Sequence, residues 1–228
     1  MLVVVAVGRA IVIKSFFAQA FYVPSESMEP GLVKNDRILV EKPSYWFGGT
    51  PQRGDVVVFE DPGGWLSAEE DAGPSSLVGK ALVKVGLYPA GGHLVKRVIG
   101  VAGDTIHCCD KQGRLLVNGH PLDESDYLTE PARKDGGPRC AGPEVNRCGR
   151  NWTAGPVPPG KLFVMGDNRG NSADSAYHLC HPRAPYCGRG SAFVPVSDVV
   201  GKVVVLLWPS SRFHVIHRPS DFADVPTS

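Results

Sequence analysis

Three short segments carry residues whose types and spacing could do nucleophilic chemistry. Pro24-Ser25-Glu26-Ser27-Met28-Glu29-Pro30 holds two serines in a proline-bracketed loop, directly after an apolar N-terminal stretch. His93-Leu94-Val95-Lys96-Arg97-Val98-Ile99-Gly100 sets a lysine inside an apolar run, and Met165 to Ser175 is dense in small polar residues. A serine hydroxyl is a weak nucleophile until a neighbour takes its proton, and lysine is one of the groups that can do so. None of the seven histidines sits in a context that marks it as that base. In the apolar run, Arg97 is excluded because a guanidinium stays protonated in proteins. Lys96 qualifies if its pKa falls from about 10.4 toward neutrality, and burial among apolar groups lowers a lysine by up to about 3–5 units. Strand alternation puts Leu94, Lys96 and Val98 on one face, so Lys96 would project among apolar side chains. Each segment also has a plain reading, Ser27 as a turn residue and Lys96 as a lysine snorkelling from a strand edge. The three together favour the chemical one.

The elements that must position these residues read as short strands between turn signals. Arg37–Glu41, Asp55–Phe59, Leu94–Ile99, Thr105–His107, Arg114–Val117, Lys161–Met165 and Gly201–Trp208 are strand-like. Asn118-Gly119 is a strong hairpin pair. No helices of 10–15 residues alternate with these runs, so the expected fold is mainly β and antiparallel rather than parallel βαβ. The 27 glycines and 20 prolines, about a fifth of the chain, point the same way. Residues 61–92 read as an insertion whose apolar piece, Leu77 to Tyr88, packs as a short helix or dips into a membrane surface, packing being favoured. Residues 129–160 read as a Pro/Gly/Cys-rich loop.

Residues 2–22 are mostly apolar, interrupted by Gly8, Arg9 and Lys14. A helix of about 21 residues is roughly 31 Å long, enough for a bilayer core. Two internal cations are costly there, about 2.5–3.5 kcal/mol each at mid-bilayer. A single-pass anchor over 1–22 is the favoured reading, with a cleaved leader and an interfacial helix as alternatives. Ala18-Gln19-Ala20 resembles a cleavable site, but the chain opens on an apolar run instead of a basic one. The body then spans 23–218, and 219–228 reads as a flexible tail. Basic and acidic residues number 24 and 23, which gives no electrostatic grip for nucleic acid. Six cysteines suggest an oxidising compartment, with local disulfides Cys140–Cys148 and Cys180–Cys187. Cys108 and Cys109 are adjacent and harder to place. A metal site from His178, Cys180, His181 and Cys187 is the weaker alternative.

The three segments, in this order, resemble those of bacterial type I signal peptidases. That family carries Pro-Ser-x-Ser-Met-x-Pro, matched at 24–30, Lys-Arg-Val-Ile-Gly-x-x-Gly-Asp, matched at 96–104, and Gly-Asp-Asn-Arg-x-Asn-Ser-x-Asp-Ser, matched at 166–175. The resemblance implies a signal-peptidase-type catalytic β domain after one transmembrane helix. It makes Ser27 the nucleophile and Lys96 the general base. Ser25 and the Ser27 backbone N–H become oxyanion-hole donors, Ser172 orients the lysine and Asp174 supports the site. Met28, Asp167, Asn168 and Arg169 frame it, and Arg97 is structural. The implied activity is removal of signal peptides from exported preproteins through an acyl-enzyme, after small residues in A-x-A sites. Neither metal nor organic cofactor is expected. The implied partners are signal peptides and membrane lipid, with the N-terminus cytoplasmic and the catalytic domain outside a bacterial cell membrane. Two positions depart from the pattern. Ala176 stands where arginine is usual, which puts the ion partner of Asp174 in doubt unless Arg169, Arg183 or Arg189 supplies it. Asn35 replaces a common glycine, a minor change because asparagine tolerates a left-handed turn. The rivals are another Ser/Lys protease and a catalytically silent, disulfide-stapled binding domain at the membrane surface.

Overall fold

In the computed structural model the described residues are 17–46, 48–66, 76, 79, 91–128, 152–179 and 192–227. They form two antiparallel sheets. The larger has eight strands in the order β1-β2-β11-β3-β4-β9-β10, with β12 paired to β11. Its members are β1 (Ala18–Tyr22), β2 (Arg37–Glu41), β3 (Val56–Glu60), β4 (His93–Gly100), β9 (Lys161–Met165), β10 (Val194–Pro195), β11 (Val199–Trp208) and β12 (His214–Val215). The smaller runs β7-β6-β5-β8, from β5 (Ile106–Cys108), β6 (Leu115–Val117), β7 (His120–Pro121) and β8 (Trp152–Ala154). Every strand pair is antiparallel, as the turn-rich, helix-poor sequence implies.

Strand β4 is the centre of the molecule. It lies between β3 and β9, and all its residues after His93 are buried. Both its faces are covered, which is why the residues on either side of Lys96 and Arg97 are apolar. Leu94 and Val98 face one cluster with Val57, Phe59, Trp65, Leu162 and Val164. Val95 packs on the other side with Phe21, Val23, Met28, Ile38 and Val40. Ile99 reaches the cluster that seals the small sheet, with Ile106, Leu115 and Val117. Each fully buried side chain of this size contributes about 1.5–3 kcal/mol. The β6–β7 hairpin turns on Asn118 and Gly119 at φ of 52° and 81°, the left-handed pair that a two-residue loop of this kind requires. Asn35 has φ 78°, as its substitution for glycine predicts.

Two expectations need correction. Residues 18–22, assigned to a membrane anchor, form β1, paired with β2 from Ala18 opposite Glu41 to Tyr22 opposite Arg37. Phe21 and Tyr22 are β-favouring aromatics, and Phe21 is buried in the sheet's core. Residues 1–16 lie outside the described ones, and among the described residues no helix is long and apolar enough to cross a membrane. The segment read as a flexible tail packs Phe222 and Val225 into the core. Arg53 and the Asn118 amide hold its end through the carbonyls of Val225 and Pro226.

Cys108 and Cys109 are bonded to each other. The expected Cys140–Cys148 and Cys180–Cys187 pairs lie outside the described residues, as does the apolar piece of the 61–92 insertion apart from Gly79.

Candidate active site

The turn that follows β1 carries Ser27 onto the buried strand β4. Lys96 and Ser27 are only 3% and 6% exposed, and their Nζ and Oγ atoms are hydrogen-bonded at 2.5 Å. Ser25 places its hydroxyl 3.1 Å from the same Oγ. The turn is pinned from both ends. Met28 is buried among Val23, Ile38 and Val40, and its carbonyl accepts the Leu32 N–H at 3.0 Å. The Asn168 backbone donates to the Ser27 carbonyl at 3.0 Å, and its side-chain amide donates to the Glu26 carbonyl at 3.1 Å. Lys96 is brought to this point by register, opposite Val57 on β3, with its neighbour Arg97 opposite Met165 on β9.

The loop from Gly166 to Ser175 leaves β9 beneath the Ser27 turn. Gly166 lies so close that a Cβ there would stand 2.3 Å from Ser172 Oγ and 2.4 Å from the Ser27 carbonyl oxygen. Only glycine lets the two backbones approach in this way. The loop's shape is held by charge. Asp174 accepts the Gly166 N–H at 3.0 Å with one oxygen, and with the other the N–H groups of Ala176 and Tyr177 at 3.0 and 3.4 Å. Arg97 clamps Asp167 through two bonds of 2.9 and 2.7 Å and donates a third to the Gly54 carbonyl. Arg169 clamps Glu124 at 3.0 and 2.6 Å and holds the Gly166 carbonyl at 3.0 Å. Tyr127 lies with its ring 4.1 Å from the Arg97 guanidinium carbon and donates its hydroxyl to Glu124. Burial opposes charge on Arg97, yet Asp167 outweighs it and holds the guanidinium above its ordinary range. Glu124 does the same for Arg169. Burial, reinforced by Glu124, raises the Tyr127 phenol well above its usual value.

The structure thus brings together the residues of the proposed dyad and its frame, while Arg183 and Arg189 lie outside the described residues. Ser25, Ser27 and Lys96 meet directly. Asp167, Asn168, Arg169 and Asp174 build the loop around them. Ser172 is buried beside Gly166, but its hydroxyl makes no hydrogen bond, so the expected bond to the lysine is not formed. Arg169 does not replace the arginine lost at position 176, because it is committed to Glu124. Asp174 is satisfied by backbone N–H groups instead. His178, the described member of the alternative metal set, turns its Nδ1 to the Asp174 carbonyl. Among the described residues no cluster of metal-ligating side chains occurs. Glu124, Tyr127 and Trp65 were not foreseen. Nothing local in Asp123-Glu124-Ser125-Asp126-Tyr127 separates these residues from an ordinary polar turn.

Comparison with known proteins gives this geometry a family. A family model described as "Signal peptidase, peptidase S26" matches residues 1–208. Signal peptidase I of Mycobacterium tuberculosis is 41% identical over 229 residues, covering 94% of this chain and 73% of the relative. Signal peptidase I of Leptolyngbya laminosa is 34% identical, over 96% of this chain and 81% of its own length. A crystal structure of a signal peptidase I from Enterococcus faecalis aligns with 67% of this chain and 95% of its own at 23% identity, with a TM-score of 0.36, and adds no weight. On the family match and the two close relatives, the chain belongs to the signal peptidases of peptidase family S26, which are serine peptidases.

Proposed function

We propose that this chain cuts signal peptides from exported preproteins by a Ser27/Lys96 acyl-enzyme mechanism. The observation that carries the reading is the buried 2.5 Å contact between Lys96 Nζ and Ser27 Oγ. Burial favours the neutral amine, the form able to act as a base. Neutral Lys96 takes the Ser27 proton as Oγ bonds to the scissile carbonyl carbon. The ammonium then returns that proton to the leaving amine as the C–N bond breaks. A water deprotonated by Lys96 hydrolyses the ester, and Ser27 regains its hydrogen. The Ser25 hydroxyl, 3.1 Å from the Ser27 Oγ, and the Ser27 N–H serve as the oxyanion donors, a role in which one donor is worth about 3–4 kcal/mol. Ser172 supports the dyad by packing against Gly166 and Asp174 by bonding the Gly166 N–H, and Met28, Asp167, Asn168 and Arg169 hold the frame around it. An extended substrate docks along a strand edge with small residues, typically alanine, one and three positions before the cut.

The same reading puts the enzyme at a bacterial membrane, with the apolar N-terminal residues as anchor and the β body on the outer side. The alternative of a silent binding domain has no observation in its favour, since a pinned, buried serine–lysine contact is what an acyl-transfer enzyme needs. The test is cleavage of a preprotein with an Ala-x-Ala site by the parent, Ser27→Ala and Lys96→Met proteins, with sequencing of the product's new N-terminus. The parent should cut after the second alanine and both variants should leave the substrate whole. A folded, membrane-inserted parent that cuts nothing would overturn the enzymatic reading. Cleavage by Lys96→Met would overturn the choice of base.

A further inference from the structure

Two aromatic rings from distant segments meet on the sheet face from which Lys96 projects. Trp65 follows β3 in a turn built on Asp61, whose carboxylate accepts the N–H groups of Gly63, Gly64, Trp65 and Leu66 at 3.0–3.3 Å. His178 lies one turn beyond Asp174, and both its backbone N–H and its ring Nδ1 are within 3.0 Å of the Asp174 carbonyl. That carbonyl can only accept, so Nδ1 carries the proton. The Trp65 and His178 rings stack at 4.5 Å and 4° between planes. Phe59 meets Trp65 edge-on at 5.9 Å, and Tyr177 flanks His178 at 5.1 Å. Phe59 and Trp65 share a cluster with Leu94 and Val98, the neighbours of Lys96 on its own face of β4.

The stack therefore lies on the apolar face of β4 that carries the lysine and ties the 61–66 turn to the segment after Asp174. Burial pushes His178 below its ordinary range, although its bond to the Asp174 carbonyl opposes this. Among the described residues the charged groups facing it are Asp174 and Asp61, which favour the proton, and Lys96, which opposes it. At neutral pH the ring is an uncharged plate.

We propose that the Trp65–His178 stack is the wall that keeps water from Lys96, which makes His178 a positioning residue of the peptidase reaction. The proposal rests on the reading of Lys96 as the base. Breaching the wall hydrates the amine, and hydration favours its charged, inactive form. The signature is a shift in pH dependence, which a merely structural defect would not produce.

The experiment measures kcat and KM across pH for the full chain on a preprotein with an Ala-x-Ala site. His178→Asn retains a donor for the Asp174 carbonyl but no ring, and His178→Phe retains the ring without a proton. His178→Asn should move the acid limb of kcat/KM up by about one pH unit, which lowers the rate on that limb about tenfold. KM should change little, and His178→Phe should keep the limb near the parent's. Ser27→Ala and Lys96→Met, run beside them, separate the two readings. If both are dead and His178→Asn keeps the parental limb, the wall is refuted and the dyad stands. A His178→Phe limb that moves as far as His178→Asn also refutes the wall. If Lys96→Met still cuts, both readings fall. Thermal melts of all variants identify loss of folding, and if His178→Asn does not fold, His178→Ala, which also removes the ring, takes its place: its limb should move up as well, and a parental limb would refute the wall.

Discussion

Lys96 and Arg97 are consecutive on β4, almost equally buried at 3% and 5% exposure, and they point to opposite faces of one strand. Lys96 meets a serine hydroxyl at 2.5 Å. Arg97 meets a carboxylate through two bonds, a backbone carbonyl through a third, and an aromatic face. Desolvation presses both toward neutrality, so burial cannot be what separates them. Side-chain chemistry and partner decide. A guanidinium paired with Asp167 stays cationic and serves as a girder, whereas an amine facing a hydroxyl can lose its proton and serve as a base. The pair shows how a strand core can hold an amine facing a hydroxyl and an ion-paired guanidinium a single residue apart.

The largest effect should come from making the first residue resemble the second. Lys96→Arg keeps a long basic side chain but supplies a group that cannot deprotonate. Loss of general-base catalysis should lower kcat by about 10²–10⁴-fold. Near-parental kcat in a steady-state cleavage assay would erase the distinction drawn between the two cations. Stripping the second residue of its partner comes next. Asp167→Ala leaves Arg97 buried and unpaired, and breaking a buried pair from one side costs about 3–5 kcal/mol. Denaturant unfolding should show that loss, and Arg97→Met with Asp167→Leu should recover most of it. If the single variant loses under about 1 kcal/mol, Arg97 is no girder.

The segments that hold the proposed dyad were legible because they sit in sharply patterned surroundings. The face of Lys96 followed from alternation alone, and Leu94 and Val98 indeed share a core cluster on that side. What sequence could not carry was partnership at a distance. Arg169 and Glu124 are 45 positions apart, and neither segment advertises the other. His178 drew notice for its ring nitrogen beside cysteines, yet its ring is used as a flat surface against Trp65. β1 was absorbed into the preceding apolar run, because a short, mostly apolar segment reads equally well as the end of a buried helix or as a strand. Only the pairing of Ala18–Tyr22 with β2, set by the intervening Ser27 turn, distinguishes the two.

The smallest effect tests whether the girder extends past Arg97. Its third bond goes to the Gly54 carbonyl, and the next residue, Asp55, is a carboxylate only 2% exposed. Lys202 reaches Asp55 at 2.8 Å and Arg218 at 2.9 Å, fastening the start of β3 to β11 and to the segment beyond β12. Burial pushes this carboxyl up, but the Lys202 bond, the Gln52 N–H and Arg218 together hold it below the ordinary carboxylate range. A carboxyl depressed in the folded state stabilises at every pH above its unfolded value, near 3.9, and that stabilisation is lost as pH falls through the folded value. Asp55→Asn should therefore cost about 1–3 kcal/mol at neutral pH, and the deficit against the parent should close below about pH 4 as the parental carboxyl protonates. Parallel unfolding curves at pH 7 and at pH 3 measure both. A deficit that persisted unchanged in acid would mean that the site depends on the shape of the side chain and not on its charge. The ionic layer that holds Arg97 inert would then end at Gly54.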